Sequence, residues 1–260
     1  MTDTLFSVAG KRVLVTGGTS GLGRLITAGL AARGARVFTC SRKQAAVDDL
    51  VKELSQEAGL DVAGIAADLS QMEEVKRVAQ AATAHFGGQM DVLINNAGAT
   101  WGAELTHYPE AGWDKVFDLN VKAVFFMTQQ CLPALHRTDP TTMPTSRVIN
   151  IGSVSGIFHP LDGAWAYHPA KAAVHHMTKV MAKQLIKDGI AVNAIAPGFF
   201  PSKMTAYLMP NGDDSALAGA TPLGRVGNAE DIVGTVVYLA SQAGAFCVGT
   251  VLKIDGGVAL

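Results

Sequence analysis

Tyr167 and Lys171 stand four residues apart in the run Tyr167-His168-Pro169-Ala170-Lys171, so on a helix they share one face. A phenol with a pKa of about 10 is a poor acid or base at neutral pH. A neighbouring ammonium favours the phenolate and brings that pKa towards the range useful for proton transfer. The spacing alone also suits a solvated helix face. Its place after a strand-like run and Ser153, in Ile151-Gly152-Ser153, gives it specificity.

A second chemical signal lies near the N-terminus, where Thr16-Gly17-Gly18-Thr19-Ser20-Gly21-Leu22-Gly23 links an apolar run to a helical pattern. Glycines let a backbone turn sharply and approach a pyrophosphate, and the helix start then offers N–H groups and a positive dipole end. The spacing is Gly-x-x-x-Gly-x-Gly, not the GxGxxG fingerprint. At the end of the next strand an acid would accept hydrogen bonds from the ribose of NAD and repel a 2′-phosphate. The chain reads Thr39-Cys40-Ser41-Arg42-Lys43 there, with no acid. A guanidinium grips phosphate in bidentate fashion and a serine adds one hydrogen bond, which predicts NADPH as cofactor, with NADH weaker. The alternative for Arg42 is an exposed arginine at a helix start.

The elements that must position these groups alternate along the whole chain. Strands are predicted at residues 11–16, 36–40, 62–67, 91–94, 147–151, 190–195 and 250–254. Helices are predicted at residues 22–33, 43–57, 72–85, about 112–135, 165–187 and 229–241. Strands separated by such helices are βαβ units with right-handed crossovers. The expectation is a single-domain, Rossmann-type doubly wound α/β fold, its parallel sheet covered by helices on both faces. Residues 136–146 and 199–225 read as irregular, and the longer stretch as a substrate-binding lid.

With these residues in view, the chain resembles the short-chain dehydrogenase/reductase family over almost its whole length, beginning with the TGxxxGxG spacing of the nucleotide loop. Asn95-Asn96-Ala97-Gly98 is similar to the family's NNAG motif. The resemblance implies cofactor contacts from Gly17, Thr19, Ser20, Gly21, Leu22, Gly23, Ser41, Arg42, Asp68, Leu69, Asn96, Ala97 and Gly98. It adds Tyr167, Lys171, Pro197, Gly198 and Ser202, with the Ile195 backbone meeting the carboxamide. Asp68 also reads as a cap before Ser70. By the same resemblance the catalytic set is Asn120, Ser153, Tyr167 and Lys171. Ser153 holds the substrate oxygen, Tyr167 gives or takes the proton, Lys171 binds the nicotinamide ribose and tunes Tyr167, and Asn120 holds a relay water. A buried asparagine bonding backbone is the other reading of Asn120. Two positions depart from the pattern: Ser20 stands where NADPH-preferring members often carry a basic residue, and Ser202 where many carry threonine.

Composition narrows the alternatives. The 260 residues are 48% hydrophobic and 17% charged with a net charge of −1, ample for a buried core and without a footprint for nucleic acid or an anionic membrane. The three cysteines form no CxxC pair, and no N-terminal signal pattern or spanning run is evident, so a reduced cytoplasmic protein is expected. No metal is expected, since His175 and His176 are adjacent and point to different faces of a helix. No G-x-S-x-G elbow supports a hydrolase. A sensor that binds the dinucleotide without chemistry would have no use for the Asn-Ser-Tyr-Lys set.

Trp101, His159, Trp165, Phe199, Phe200, Met204 and Tyr207 gather near the lid. With Ser153, residues His159, Phe199, Phe200 and Met204 are the candidate substrate contacts, for a bulky apolar substrate. Packing of lid to core is the even alternative. Segments 101–103, 112–113, 150–153 and 196–205 resemble bacterial 3-oxoacyl reductases linked to rhamnolipid synthesis, which implies a hydrophobic 3-oxoacyl substrate, with a cyclic, aryl or steroid-like alcohol as alternative. Asp188 stands where reductases of acyl carrier protein tend to have an arginine. The resemblance also implies a homotetramer, supported by the apolar run at residues 248–260.

Overall fold

The computed structural model describes residues 4–136, 144–158, 163–202, 205 and 209–260. Among them seven parallel strands form one sheet: β1 (Arg12–Thr16), β2 (Arg36–Ser41), β3 (Val62–Ala66), β4 (Val92–Asn95), β5 (Ser146–Ile151), β6 (Ile190–Pro197) and β7 (Val251–Ile254). The order is β3-β2-β1-β4-β5-β6-β7, so the winding reverses between β1 and β4. In such sheets ligands bind outside the carboxyl ends of the strands at that reversal. Register sets Asn95 beside Asn150 and Ile151 beside Ile195, so the polar strand ends finish level.

Successive strand residues face opposite sides. Val13 and Val15 enter the core built with α1 (Gly21–Ala31), α2 (Gln44–Val51) and α8 (Ala229–Ala240). Leu14 enters the other, built with α3 (Met72–His85), α5 (Ala123–Leu135) and α6 (Tyr167–Leu185). All three side chains are fully buried. Burial on both sides is the reason these strands are apolar at every position rather than at alternate ones.

The helices differ from expectation at their joints. The expected helix at about 112–135 starts earlier, at α4 (Glu110–Phe117), and passes through a π turn, Asp118–Lys122, before α5. The expected helix at 43–57 closes as a π turn, Lys52–Glu57, because Leu54 still turns into the core. The helix expected at 165–187 runs as α6 with a 3₁₀ tail, Ile186–Asp188.

Residues 199–225 are not wholly irregular. They hold a turn at Pro210–Gly212 and a short helix, α7 (Ser215–Gly219). The base of the stretch is pinned: the Gly227 N–H donates to the Phe199 carbonyl at 2.8 Å, and the Leu223 N–H to the Gly256 carbonyl at 3.0 Å. Most of the irregular stretch expected at 136–146 lies outside the described residues. Among the described residues no helix is long and apolar enough to cross a membrane.

Candidate active site

The turn from β1 into α1 is built for close approach. Gly17 takes a φ of 71°, a left-handed conformation that glycine adopts without strain. A Cβ at Gly23 would overlap the Gly17 carbonyl oxygen, so the helix start packs this tightly only without a side chain. Ser20 caps no N–H with its side chain, and the first turn of α1 carries no acid. Ser20, Gly21, Leu22 and Gly23 line a cavity, to which this helix start therefore offers N–H donors and the positive dipole end.

Two connected cavities lie over the strand ends. One, of about 330 Å³, is lined by Gly17, Thr19, Ser20, Ser41, Arg42, Asp68, Leu69, Ala97 and Gly98 among others. Arg42 is exposed and has no ion-pair partner among the described residues. The Asp68 carboxylate accepts from the Ser70 N–H at 3.1 Å and the Ser70 hydroxyl at 2.9 Å. It thus forms the cap expected before Ser70 and lines the cavity as well.

The NNAG segment stitches this side together. The Asn96 amide donates to the Thr16 carbonyl at 2.8 Å and the Gly17 carbonyl at 3.2 Å, while Thr16 Oγ1 accepts from the N–H groups of Asn96 and Ala97, each at 3.0 Å. Asn95 works below, in a fully buried polar chain. Its amide donates to Asn150 Oδ1 at 2.9 Å, and the Asn150 amide donates to Thr178 Oγ1 at 2.9 Å. These bonds fix the ends of β4 and β5 against α6.

The second cavity, of about 450 Å³, is lined by Ser153, Tyr167, Lys171, Pro197, Gly198, Phe200 and Ser202. It shares Ser20, Arg42, Ala97 and Gly98 with the first, so one groove runs from Arg42 to Tyr167. Lys171 is buried. Its Nζ donates to the Ile151 carbonyl at 2.8 Å and lies 5.5 Å from the Tyr167 ring centre. Burial pulls its pKa down to about 8, which leaves it mostly protonated at pH 7.

Ser153 caps a 3₁₀ turn, Val154–Gly156, its hydroxyl accepting from the Ser155 N–H at 3.1 Å. Asn120 sits in the π turn, fully buried. Its Oδ1 accepts from the Ala99 N–H at 3.1 Å, and its Nδ2 donates to the Ala99 carbonyl at 2.7 Å. The side chain therefore bonds backbone beneath the groove. A Cβ at Gly98 would lie 2.6 Å from Asn120 Oδ1, so that residue passes directly over it.

The candidate substrate contacts divide. Phe200 lines the second cavity but is 4% exposed and packs in the core. Phe199 lines a further cavity of about 300 Å³ with Leu223, Lys253 and Asp255, and Phe200 borders that cavity as well. His159, Met204 and Tyr207 lie outside the described residues. Trp165 donates its indole N–H to the Ala103 carbonyl at 3.0 Å. The Ser202 hydroxyl is paired with Thr205 Oγ1 at 3.1 Å.

Sequence reasoning missed Thr100, Lys115 and Thr205, which also line the second cavity. Lys115 stands over the Trp101 ring at 4.9 Å. No motif marks these positions. Among the described residues no group of three His, Cys, Asp or Glu side chains could hold a metal ion.

Comparison with known proteins shows the family. The family model for short chain dehydrogenase matches residues 11–212. The chain is 46% identical to the rhamnolipids biosynthesis 3-oxoacyl-[acyl-carrier-protein] reductase of Pseudomonas aeruginosa, over 97% of each chain. It is 36% identical to gluconate 5-dehydrogenase of Gluconobacter oxydans, over 98% of this chain and 96% of that protein. Among solved structures, the Pseudomonas aeruginosa RhlG/NADP active-site complex superposes with a TM-score of 0.92 at 44% identity, covering 100% of both chains.

Proposed function

The chain belongs to the short-chain dehydrogenase/reductase family, and from that premise we propose that it is an NADPH-dependent oxidoreductase interconverting a hydrophobic 3-oxoacyl ketone and its secondary alcohol. The observation that carries the proposal is the single groove joining the glycine turn and Arg42 at one end to Ser153, Tyr167 and Lys171 at the other.

The groove fits a phosphorylated dinucleotide. The uncapped α1 start and the closely packed Gly17 and Gly23 suit a pyrophosphate. Ser41 and Arg42, with no acid next to them in sequence at the end of β2, suit a 2′-phosphate. Thr19, Ser20, Gly21 and Leu22 would hold the phosphates, and Asp68, Leu69, Asn96, Ala97 and Gly98 the adenosine side. Pro197, Gly198, Ser202 and Lys171 would hold the nicotinamide end. When bound, the nicotinamide supplies a hydride to the carbonyl carbon, or accepts one in the reverse direction.

The chain's own part is the proton and the placement of the oxygen. Ser153 holds the substrate oxygen and stabilises charge developing there. Tyr167 donates its phenolic proton to that oxygen in reduction and takes it back in oxidation. Lys171 is charged at neutral pH and close to the Tyr167 ring, so it favours the phenolate that remains. Asn120 holds the Ala99 backbone from below, and by the family's pattern it would hold the water through which the proton is replaced. Residues 199–225, pinned at the base, cover the substrate. The relatives' substrates, a 3-oxoacyl-[acyl-carrier-protein] in one and gluconate in another, bracket the choice. The apolar members of the lining, Leu22, Ile151, Pro197 and the edge of Phe200, favour the acyl chain.

The reading extends to assembly. Phe246 and Leu260 are almost wholly exposed and Val180 half so, apolar surface that a homotetramer would bury. The direct test is a panel of 3-oxoacyl thioesters and esters, cyclic and aryl ketones, and polyols, each assayed with NADPH and NADH. The expected outcome is highest kcat/KM for a 3-oxoacyl compound with NADPH. A polyol outperforming every ketone would refute the substrate class.

A further inference from the structure

His175 is the third member of a row that α6 presents one turn apart, after Tyr167 and Lys171. It is buried, whereas its neighbour His176 is exposed. Its ring lies against the turn that carries Ser153. A Cβ at Gly152 would overlap Nε2, and a Cβ at Gly156 would stand 2.8 Å from Cε1, so glycines on both sides of Ser153 make room for the imidazole. The Ser153 N–H donates to Nε2 at 3.4 Å. One turn before Lys171, His168 Nδ1 donates to the Ser155 carbonyl at 3.1 Å.

We propose that His175 is a positioning residue for Ser153: its neutral imidazole, bare at Nε2, accepts the Ser153 N–H and, with His168, clasps the Ser153 turn onto the helix that carries Tyr167 and Lys171. The inference rests on the reading that Ser153 holds the substrate oxygen. Ser153 and Tyr167 come from different elements, 14 residues apart in sequence, and both must meet one oxygen. A misplacement of about 1 Å in such a pair costs on the order of 100-fold in rate. The Ser153 hydroxyl is oriented by Ser155, but nothing in that bond ties the turn to α6. His175 supplies the tie.

The imidazole can accept only while unprotonated. Burial, then Lys171 and Lys179 of its own helix, push its pKa down to about 4. The groups pressed against the ring from the facing turn, Gly152, Ser153 and Gly156, carry no charge. The ring is therefore neutral at every pH at which the enzyme would work. The accepted N–H further requires the remaining proton on Nδ1.

Two variants and one spectroscopic reading test this. His175→Leu fills the space without an acceptor, and His175→Gln restores one. With sites counted by NADPH binding, His175→Leu should lower kcat for ketone reduction about tenfold, the loss expected for one hydrogen bond. KM for NADPH should stay within about twofold, and His175→Gln should recover most of kcat. Hydrogen–deuterium exchange should accelerate in the peptide spanning 152–156 in the leucine variant alone. In the wild-type protein, ¹⁵N-histidine spectra assigned against His175→Gln should show Nε2 unprotonated between pH 5 and 8. Unchanged kcat in His175→Leu, a glutamine variant no better than the leucine one, or a proton on Nε2 would each overturn the proposal. If the leucine variant does not fold, the proton position in the wild type decides alone. If no ketone is reduced by the wild type, the catalytic reading has failed, while exchange and tautomer still judge the clasp.

Discussion

Lys171 holds its ammonium 5.5 Å from the centre of the Tyr167 ring while donating to the Ile151 carbonyl at 2.8 Å, so a helix face and a strand end meet at one buried cation. That cation is costly to the fold. Its pKa of about 8 against an ordinary 10.5 means that the folded state binds the proton less well than the unfolded chain does. The cost is complete below pH 8, fades as pH rises and is gone above 10.5. By linkage it is about 3 kcal/mol at neutral pH.

Replacing Lys171 with methionine should therefore abolish turnover while leaving thermal stability at pH 7 equal or higher. The advantage of the variant should shrink as pH rises from 8 to 10.5. Thermal melts of both proteins across that range check it. A variant clearly less stable than wild type at pH 7 would mean that the Ile151 bond outweighs the burial cost.

Arg42 gives a prediction about cofactor choice. It is exposed, without an ion-pair partner among the described residues, and lines the groove, so its guanidinium is available to a 2′-phosphate. Arg42→Ala should raise KM for NADPH by about 10- to 150-fold, the loss of a charged hydrogen bond worth roughly 1.5–3 kcal/mol. KM for NADH should hardly move. Equal effects on the two cofactors would return Arg42 to the status of a surface residue.

The substrate wall gives a third. Each methylene buried is worth about 0.8 kcal/mol, so kcat/KM on a 3-oxoacyl series should rise about fourfold per carbon and then level off. Phe200 is a poor probe of this wall because its ring packs into the core and fills the space above Gly227. Phe200→Ala should instead cost about 3–5 kcal/mol of stability, measurable by denaturant unfolding. A small loss there would mean that Phe200 is free to serve the substrate.

These outcomes trace how far residues alone carry the reading. The run Val13-Leu14-Val15 announced a strand buried on both faces, and its residues do enter both cores. The spacing of Tyr167 and Lys171 placed them on one face because four residues make about one helical turn. The π turn at Asn120 was hidden, since its apolar periodicity continues unbroken from α4 into α5 and hydrogen-bond slippage leaves no mark on composition. Phe199 and Phe200 were indistinguishable as adjacent aromatics. The fold leaves Phe199 half-buried at one cavity and packs Phe200 into the core, where it borders two. His175 carried no signal beyond its adjacency to His176, because its partner is a backbone N–H 22 residues away.

The central claim is that Tyr167 donates the proton to the substrate oxygen, and Tyr167→Phe tests it most directly. The substitution removes one hydroxyl and leaves the ring between α6 and the groove. Measured with NADPH and a 3-oxoacyl ester at saturating concentrations, kcat should fall by about 100- to 10,000-fold, the usual worth of a positioned general acid. The Kd for NADPH should stay within a few-fold of wild type. A variant that kept a substantial fraction of wild-type kcat would contradict the account.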